Sequence, residues 1–466
     1  MQLEVHPIKA LHDEAIQRYQ DMLNRQSSTL DEAVEEYNRR YSRQPPPGFE
    51  DWFRFAREKK SLIIDDFDTI EESLQQLWRI EPRAIRDLVN QLNGSKELWS
   101  LSIQKGNATT SAGNWVGDDI KAMLSTVLAN IPDLTLLTNP LDEPRVLAAD
   151  AHNIDPHDKV SWITTSRRSI WQEVVASCDQ TTHVRSASTI DTHGIPFLTD
   201  READMNVCLN PSLALSHGFY LAPSTMIMTR SPVPILSQAV GSSFRDILYP
   251  SAAYWSSSFS YNVAKLYWAG STTGGWNGPS TKDSLHPTEA HRHPWTRYNS
   301  DEQLRLYNVK FTNAIQCDPA TCTFMEKYYG IGHVEDPHKA LRHKFQMDVD
   351  GNSFSGRFYR LLASKACPLK MTIFREWHDE RLIPWLHYVP ISNAMDELPE
   401  AMRYLALTDE GDAIGHSIAE AGREAHRRSL RKVDAAIYMY RLLLEYARVT
   451  SDDRDADVDM GSHARN

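Results

Sequence analysis

The chain of 466 residues has few cysteines, no excess of positive charge and no long apolar run. Five Cys are too few to support a disulfide scaffold. Lys and Arg number 50 against 62 Asp and Glu, a formal net charge of -12. This balance argues against a broad nucleic-acid surface because phosphate binding needs a positive excess, so any phosphate site must be local. No run is apolar enough to span a membrane, and Met1 is not followed by the apolar core of a signal peptide.

The length and the hydrophobic content of 41 % predict a globular protein of about two domains. Its first part has helical patterning. Thr29 and Glu32 form the pattern of a capping box at the start of an amphipathic stretch, which the run Pro45 to Pro47 ends. We therefore expect a helical N-terminal segment over residues 1–95.

Two pairs of cysteines are spaced so that disulfides are possible. Cys317 and Cys322 flank a short loop that a disulfide can close, and Cys178 with Cys208 can form a second pair. Cys367 remains, in an apolar strand, where we expect it to be buried and inert. No His or further Cys lies at a zinc-type spacing beside Cys317, which favours a disulfide or free thiols over a metal.

From about residue 97 the pattern changes to a strand, a helix and a second, buried strand. The stretch LTLLTN reads as a buried strand, and Asp142 lies just past its end. A carboxylate at the carboxyl end of a strand is well placed to act as a general base in an α/β fold. Two alternatives stay open: the neighbouring Glu143 has this role, or Asp142 only caps a turn before Pro144.

Residues 256–450 contain a glycine-rich loop after a strand-like stretch, Leu266 to Trp268. The loop begins with Gly270, Ser271 and Thr272, and its backbone amides can wrap around a phosphate. It is neither a Walker A loop nor a GxGxxG motif, since no Gly-Lys-Ser/Thr follows. We expect this loop to contact a phosphate.

The stretch from residue 344 to residue 390 reads as a strand, a glycine turn, a helix, a buried strand and a polar loop. We expect Ser353 or Ser355 to cap the helix. Arg357 with the helix N-terminus suits a diphosphate, and Glu376, beyond the carboxyl end of the buried strand, suits ribose hydroxyls. The open alternative is that Arg357 and Glu376 simply pair with each other.

Together these motifs resemble a known family. The run KFQMDVDGNSFSGRFYRLLAS, followed by KMTIFREW and LIPWLHYVP, is similar to the signature of the fungal capsule-associated (CAP-type) glycosyltransferases. These form glycosyltransferase family 90 together with the Rumi-like protein O-glucosyltransferases of animals. HGFYLAP and PVPILSQAVGSSFRDILYPSAAYW also match in order, so the likeness extends over most of the chain.

The resemblance implies an α/β fold of the GT-B type, in which two Rossmann-like domains face each other across a cleft. Beyond the helical segment of residues 1–95, we expect an acceptor domain over residues 96–255 and a UDP-sugar domain over residues 256–450, braced by long C-terminal helices. The charged tail of residues 451–466 is predicted to be disordered.

The resemblance also implies the reaction, in which xylose or glucose passes from a UDP-sugar to a hydroxyl of a glycan or a protein. The family inverts the anomeric centre without a metal, and Asp142 aligns with its catalytic base. The fungal-type motifs favour UDP-xylose and a glycan acceptor. The UDP-sugar is a substrate, and we expect no cofactor and no nucleic-acid partner.

For the donor, the resemblance implies contacts around the nucleotide and the diphosphate. Arg357 and the amides near Ser355 would stabilise the leaving diphosphate, and Glu376 would hold the ribose. Ser237 would lie near the nucleotide, and Arg292 is a secondary phosphate candidate. The predicted donor-binding set is Ser237, Gly270, Ser271, Thr272, Arg292, Ser355, Arg357 and Glu376.

Ala269 departs from the family pattern, which places an arginine before Gly-Ser. Losing one charge-assisted phosphate contact costs about 1.5–3 kcal/mol. The open interpretations are reduced activity, a changed donor, compensation by a nearby base such as Arg292, or a non-catalytic relative that binds a nucleotide-sugar or a glycan.

Two metal hypotheses are weaker than the metal-independent one. Asp348 and Asp350 form a DxD pattern, which other transferases use for manganese, but an Asp before Gly at a strand end is ordinary turn chemistry. His286, His291 and His293 match no standard metal-site spacing. We therefore expect no metal.

Family members usually carry an N-terminal membrane anchor and work in the lumen of the Golgi or endoplasmic reticulum. The resemblance implies this secretory-pathway location, although no signal or membrane segment is visible in this chain. Two glycosylation triplets, at Asn93 and Asn107, fit that location but also arise by chance. We expect membrane contact only through an anchor not present in this chain.

Overall fold

The computed structural model describes residues 5–148, 159–178, 189–192, 195–254, 266–278, 306–333 and 342–454. Within these residues the chain is a mixed α/β protein, with two five-stranded sheets, two small two-stranded sheets and helices packed around them. The predicted α/β class is confirmed.

The strands are β1 (Trp99–Gln104), β2 (Asn107–Thr110), β3 (Leu134–Thr138), β4 (Ile163–Thr164), β5 (Thr189–Thr192), β6 (Ile195–Leu198), β7 (Ile227–Met228), β8 (Ile235–Ser237), β9 (Ile247–Leu248), β10 (Leu266–Ser271), β11 (Tyr307–Asn313), β12 (Phe345–Val349), β13 (Cys367–Met371) and β14 (Val389–Pro390). The helices are α1 (Pro7–Asn24), α2 (Leu30–Tyr41), α3 (Phe49–Glu58), α4 (Asp68–Leu74), α5 (Pro82–Leu92), α6 (Trp115–Leu124), α7 (Trp171–Val175), α8 (Arg201–Met205), α9 (Leu213–Ser216), α10 (Gly218–Leu221), α11 (Pro319–Tyr329), α12 (Phe358–Ala363), α13 (Leu398–Leu407), α14 (Asp409–Ser429) and α15 (Lys432–Val449).

The first five-stranded sheet has the order β2-β1-β3-β8-β9. Strands β3, β8 and β9 run parallel, whereas β1 pairs antiparallel with both β2 and β3. The predicted strand LTLLTN is β3, whose burial explains its continuous apolar run. Because parallel strands end at the same edge of a sheet, the segments after Thr138 and Ser237 leave this sheet side by side.

The second five-stranded sheet has the order β11-β10-β12-β13-β14, and every pair in it is parallel. Its strands β10, β12 and β13 end at Ser271, Val349 and Met371. These carboxyl ends therefore meet at one edge, which is where open α/β sheets bind their ligands.

The predicted helical N-terminal segment is confirmed as helices α1 to α5. Thr29 Oγ1 accepts the Glu32 N–H (3.3 Å) and Glu32 Oε2 accepts the Thr29 N–H (3.2 Å), which completes the predicted capping box. Helix α1 sends Ile8 and other apolar residues into the core of the second sheet. Trp52 on α3 is fully buried and donates its indole N–H to the Ile437 carbonyl oxygen on α15 (3.0 Å). Helices α2 to α4 also share a core with strands of the first sheet, so the segment packs against both sheets.

Both disulfides that the spacing allowed are present, Cys178–Cys208 and Cys317–Cys322. Cys367 is a buried free thiol, and burial raises its pKa to about 12, which keeps it protonated and unreactive. In the described parts of the chain, no helix has the length and hydropathy needed to cross a membrane.

The prediction that Ser353 or Ser355 caps a helix is wrong. Helix α12 begins at Phe358, with Arg357 at the N-cap position and no side-chain cap. The Ser355 side chain instead interacts with the Asp348 carboxylate. The Ser355 hydroxyl, which the local sequence predicted to cap α12, is thus used by the buried Asp348 carboxylate on β12.

Order extends past residue 451, where the sequence predicted a disordered tail to begin. Arg454 is buried and donates Nη1–H to the Ile80 carbonyl oxygen (2.8 Å) beside the Trp78 ring. Residues 455–466 lie outside the described residues.

Candidate functional site

A cavity of about 690 Å³ opens at the carboxyl edge of the second sheet. Ser271, Val349 and Met371, the last residues of β10, β12 and β13, contribute to its wall. Residues of the first half, from Ser212 to Gly218, contribute as well. The cavity is therefore the candidate site, both by its position on the sheet and by the meeting of the two halves there.

Several residues predicted from the sequence meet in this cavity. Ser271, Thr272, Ser355 and Arg357 all line it. Gly270 adjoins them, since a Cβ built on it would lie 3.3 Å from Arg357 Nη2. The structure thus brings the loop after β10 and the start of α12 together around one space.

The glycine-rich loop, residues 270–275, packs backbone against backbone. A Cβ on Gly218 would lie 2.2 Å from the Gly274 carbonyl oxygen. Gly274 has a φ of +102°, a conformation that L side chains rarely adopt, and a Cβ on it would lie 3.2 Å from the Gly351 oxygen. Only glycine permits such close approach, so these glycines fix how α10, the loop and the turn after β12 fit together.

Two arginines give the cavity positive charge. Arg357 donates Nη1–H to the Ala269 carbonyl oxygen (3.1 Å) and lies 5.8 Å from the centre of the Trp268 ring. Burial lowers the pKa of Arg357 and the nearby Asp348 opposes this, yet a guanidinium stays charged. Arg360 also lines the cavity and was not predicted. Its spacing from Arg357 was a usable signal, because residues three apart share a helix face.

A histidine and an aspartate from opposite halves form another part of the wall. His217 and Asp350 both line the cavity, with 3.5 Å between His217 Nε2 and Asp350 Oδ2. His217 Nδ1 accepts the Phe219 N–H (3.3 Å), and Asp350 Oδ2 accepts the Ile373 N–H (2.8 Å). The pair was not predicted as a site, although each residue lies in a motif that carries the family resemblance.

The loop that carries Asp142 is organised by a buried asparagine. Asn139 Nδ2 donates to the Glu143 carbonyl oxygen (2.7 Å) and to Ser237 Oγ (3.0 Å), while Asn139 Oδ1 accepts the Leu141 N–H (3.0 Å). Ser237 is 0 % exposed and donates to Asp246 Oδ1 (2.7 Å). Ser237 therefore lies beneath the Asp142 loop and not in the cavity wall.

Asp142 and Glu143 have different environments. The Asp142 side chain is exposed, whereas Glu143 is 1 % exposed and accepts a hydrogen bond from Thr225 Oγ1 (3.0 Å). Desolvation raises the pKa of Asp142, and a hydrogen bond from the Asn352 side chain opposes that rise. Burial raises the pKa of Glu143 to about 7. Of the two carboxylates, Asp142 is the more exposed.

Asn352 connects Asp142 to the cavity. Its side chain hydrogen-bonds the Asp142 carboxylate, and its Oδ1 accepts the Gly274 N–H (3.4 Å). One amide therefore joins the acid of the first half to the glycine loop of the second half, beside Gly351 in the cavity wall.

Glu376 lies in a buried network away from the cavity wall. Lys370 Nζ donates to Asp348 Oδ2 (3.1 Å) and to Glu376 Oε1 (3.3 Å), and the Tyr254 hydroxyl donates to Glu376 Oε2. The alternative in which Arg357 and Glu376 simply pair is wrong, because Lys370 is the cation that Glu376 contacts. The network also separates the DxD carboxylates, since Asp348 faces Lys370 while Asp350 is in the cavity wall.

Some predicted residues lie where the structure is not described. Arg292 and the three histidines His286, His291 and His293 fall outside the described residues. Among the residues that are described, no group of three or more His, Cys, Asp or Glu side chains is placed to hold a metal ion.

The chain is similar to proteins of one named family. The model of Glycosyl transferase family 90 matches residues 222–459, which include the glycine-rich loop and Arg357, whereas Asp142 precedes the match. Human protein O-glucosyltransferase 1 is 23 % identical over 239 residues, 47 % of this chain and 58 % of that protein. Protein O-glucosyltransferase 2 of Danio rerio is 27 % identical over 161 residues, 33 % of this chain and 31 % of that protein. Rat protein O-glucosyltransferase 3 is 25 % identical over 229 residues, 47 % of this chain and 43 % of that protein. The matched part is less than two thirds of the length of each of these relatives.

Proposed function

Because the chain belongs to glycosyl transferase family 90, we propose that it transfers a sugar from a UDP-sugar to an acceptor hydroxyl, with its two sheets in a GT-B-like arrangement. One observation carries the proposal. The glycine-rich loop and Arg357 meet at one cavity, at the carboxyl edge of a parallel sheet. Asn352, which follows Gly351 of the cavity wall, contacts both this loop and Asp142, which lies outside the wall.

The UDP-sugar is assigned to this cavity, with its diphosphate against the glycine-rich loop. The guanidinium of Arg357 and backbone amides of the glycine-rich loop other than those of Thr272 and Gly274, which already donate within the protein, would stabilise the charge of the leaving UDP. Arg360 supplies a second positive charge, which compensates for the loss of the family's arginine at position 269. Arg292 remains a predicted phosphate contact.

Glu376 and Ser237 are proposed to support the donor site from behind its wall. Glu376 holds Lys370, which in turn holds Asp348 beside Ser355. Ser237 holds Asn139, which shapes the Asp142 loop. A direct contact of Glu376 with the ribose would require its carboxylate to leave Lys370.

The chemistry follows from the placement of Asp142. Its carboxylate takes the proton of the acceptor hydroxyl as that oxygen attacks the anomeric carbon of the donor. The bond between the anomeric carbon and the UDP oxygen breaks as the new bond forms, and UDP leaves with the bonding electrons. A single displacement of this kind inverts the anomeric centre.

A metal is not required in this scheme, because Arg357 and the loop amides take the place of a cation at the leaving group. The DxD alternative receives less support, since Asp348 is fully buried and its partner Lys370 is already a cation. A manganese ion would have to displace that lysine.

For the transferred sugar we propose glucose or xylose, and for the acceptor a hydroxyl of a protein or a glycan. Relatives named protein O-glucosyltransferases support glucose transfer to a protein. The CAP-type motifs of the sequence support xylose and a glycan, as in fungal polysaccharide biosynthesis.

The proposed compartment is the lumen of the secretory pathway, the Golgi or the endoplasmic reticulum. Two disulfides, Cys178–Cys208 and Cys317–Cys322, support it because disulfides persist in oxidising compartments.

A second candidate function is a non-catalytic protein that binds a nucleotide-sugar or a glycan. Ala269 favours it, because the alanine removes a cation that the family places beside the diphosphate. The two candidates differ in turnover, since a binding protein holds the donor without releasing UDP.

The proposal is tested by measuring UDP release from a panel of UDP-sugars, with and without EDTA. Methyl glycosides and serine-containing peptides serve as acceptors. Wild type is expected to release UDP in the presence of EDTA, and Asp142→Asn should lower kcat by roughly 10²- to 10⁴-fold, the usual contribution of a general base. Asp133→Asn is the matched control, because Asp133 is also an exposed aspartate next to β3 but lies at the opposite end of that strand, where it accepts the Lys105 N–H (2.6 Å).

Each other outcome has a distinct meaning. If EDTA abolishes UDP release by wild type, the metal-independent scheme is contradicted. If Glu143→Gln loses UDP release while Asp142→Asn keeps full activity, Glu143 and not Asp142 is the base. If Ala269→Arg releases UDP and wild type does not, the natural protein is a weakened enzyme. If neither wild type nor Ala269→Arg releases UDP, the binding candidate is favoured.

A further inference from the structure

Among the described residues, Asp350 of the cavity wall has one carboxylate oxygen without a hydrogen-bond partner. The Asp350 side chain is 1 % exposed, and its Oδ2 accepts the Ile373 N–H (2.8 Å) with His217 Nε2 at 3.5 Å. Its Oδ1 is buried and accepts no hydrogen bond from the residues that the structure describes. A buried carboxylate oxygen left unsatisfied is costly, so such an atom in a binding cavity indicates that a ligand group satisfies it.

The surroundings hold this carboxylate in one orientation. Because His217 Nδ1 accepts the Phe219 N–H (3.3 Å), the ring nitrogen that carries a proton is Nε2, the atom nearest Asp350. The backbone amide of Ile373 fixes the same carboxylate oxygen from the other side. Oδ1 is therefore the oxygen left for a ligand.

The chemistry of the ligand group follows from the charge. A carboxylate repels a phosphate, so Asp350 does not bind the diphosphate. A metal ion would need further ligands, and the described residues contain no cluster of three or more suitable side chains. A neutral hydroxyl donates a hydrogen bond to a carboxylate without either difficulty, and a sugar carries several hydroxyls.

The position of Asp350 indicates that the hydroxyl belongs to the sugar that is transferred. In an inverting displacement this sugar lies between the attacking base and the leaving diphosphate. Asp350 precedes Gly351 and Asn352, and its carbonyl oxygen would lie 3.9 Å from a Cβ on Gly274 of the glycine-rich loop. Asn352, two residues further on, contacts both Asp142 and the Gly274 N–H. Asp350 is thus beside the loop assigned to the diphosphate and two residues from the amide that contacts the group assigned as base.

We propose that Asp350, held by His217 and the Ile373 amide, is a specificity-determining residue whose Oδ1 accepts a hydrogen bond from a hydroxyl of the transferred sugar. This inference rests on the proposed function, since it assigns a sugar to the same cavity. It makes the first half of the chain, through His217, a contributor to donor recognition.

The test is a binding cycle measured by isothermal titration. UDP, UDP-glucose, UDP-xylose and the monodeoxy forms of whichever UDP-sugar binds are titrated into wild type and Asp350→Asn. For wild type, one deoxy position is expected to weaken binding about 10- to 100-fold, the ratio for a lost hydrogen bond to a charged group. In Asp350→Asn the penalty at that position should fall severalfold, while UDP alone binds as to wild type. Asp133→Asn should reproduce every wild-type value.

The outcomes separate this inference from the proposed function. If wild type binds no UDP-sugar, the proposed function fails and the inference fails with it. If wild type binds and turns over the donor but all deoxy penalties are equal in wild type and Asp350→Asn, only the inference is overturned. Equal weakening of UDP and UDP-sugar would also overturn it, because the role would then be structural. Thermal unfolding shows whether each variant is folded. If Asp350→Asn does not fold, Asp350→Ser replaces it in the titrations. If neither variant folds, Asp350 has a structural role and the inference is overturned.

Discussion

At the scale of single residues, Asn352 is the group that joins the two halves of the site. It hydrogen-bonds the Asp142 carboxylate with its side chain and accepts the Gly274 N–H with Oδ1 (3.4 Å). Asn352 is therefore a positioning residue, which acts on the acceptor proton only through Asp142. Because its hydrogen bond favours the charged carboxylate, it also affects the pH at which the base works.

Substituting Asn352 is expected to move the pH profile. Desolvation raises the pKa of Asp142 and the Asn352 hydrogen bond lowers it, so Asn352→Ala raises this pKa further. A general base acts deprotonated, and activity rises with pH through its pKa. The acid limb of kcat/KM should therefore move to higher pH in Asn352→Ala, with the largest loss of activity at low pH. Asn107→Ala, at an exposed asparagine on β2, is the control. A loss of equal size at every pH would show that Asn352 has only a structural role.

The sequence predicted the site residues whose positions follow from a local strand or helix pattern. It did not predict the contacts that form between residues far apart in the chain. Ser271 and Arg357 line the cavity because Ser271 ends a strand and Arg357 opens a helix. His217 and Asp350 come from different halves, so nothing local indicates that they meet. Glu376 lies beyond β13, and the turn that carries it brings its carboxylate back to Lys370, a direction that no spacing pattern encodes.

At the scale of elements, the short helix α10 sets the position of the glycine-rich loop. Gly218 at its start and Gly274 in the loop approach so closely that an added Cβ would lie 2.2 Å from a backbone oxygen. The Trp276 N–H also donates to the Ala222 carbonyl oxygen (2.6 Å), which ties the end of the loop to the end of α10. The loop is thus built against the first half of the chain.

Adding one methyl group at this contact is expected to disturb the site. Gly218→Ala must shift the loop backbone, because the clashing atom is a backbone oxygen. We expect the free energy of unfolding to fall by about 1–3 kcal/mol, the usual cost of overpacking, together with weaker UDP binding. Denaturant unfolding and UDP titration measure the two effects. Gly113→Ala is the control, since no atom of the described part of the chain lies within 4 Å of a Cβ there. Unchanged UDP affinity in Gly218→Ala would contradict the role given to this contact.

Elements were easier to predict than residues, because burial and capping leave local patterns. The strand LTLLTN and the Thr29–Glu32 capping box are both present as predicted. The failed cap of α12 has a specific cause, since Ser355 turns to Asp348, and no helix-start pattern contains that information.

At the scale of the whole molecule, two sheets and one site are held together by segments distant in sequence. Helix α1 packs into the core of the second sheet, and helices α2 to α4 share a core with α15 and with strands of the first sheet. The cavity lies where the first half meets the carboxyl edge of the second sheet. The order of strands within each sheet was not predicted, because it depends on pairings between strands far apart in the chain.

The central claim is that this cavity holds the UDP part of a UDP-sugar. It is tested most directly by titrating UDP into wild type, Arg357→Gln and Arg83→Gln. Arg357 lines the cavity, whereas Arg83 has a side chain that is 85 % exposed on α5 and serves as a charge-matched control. We predict that wild type and Arg83→Gln bind UDP equally and that Arg357→Gln binds it about 10- to 100-fold more weakly, as expected for a lost charge-assisted contact. Equal affinity of wild type and a folded Arg357→Gln would contradict the assignment of the cavity.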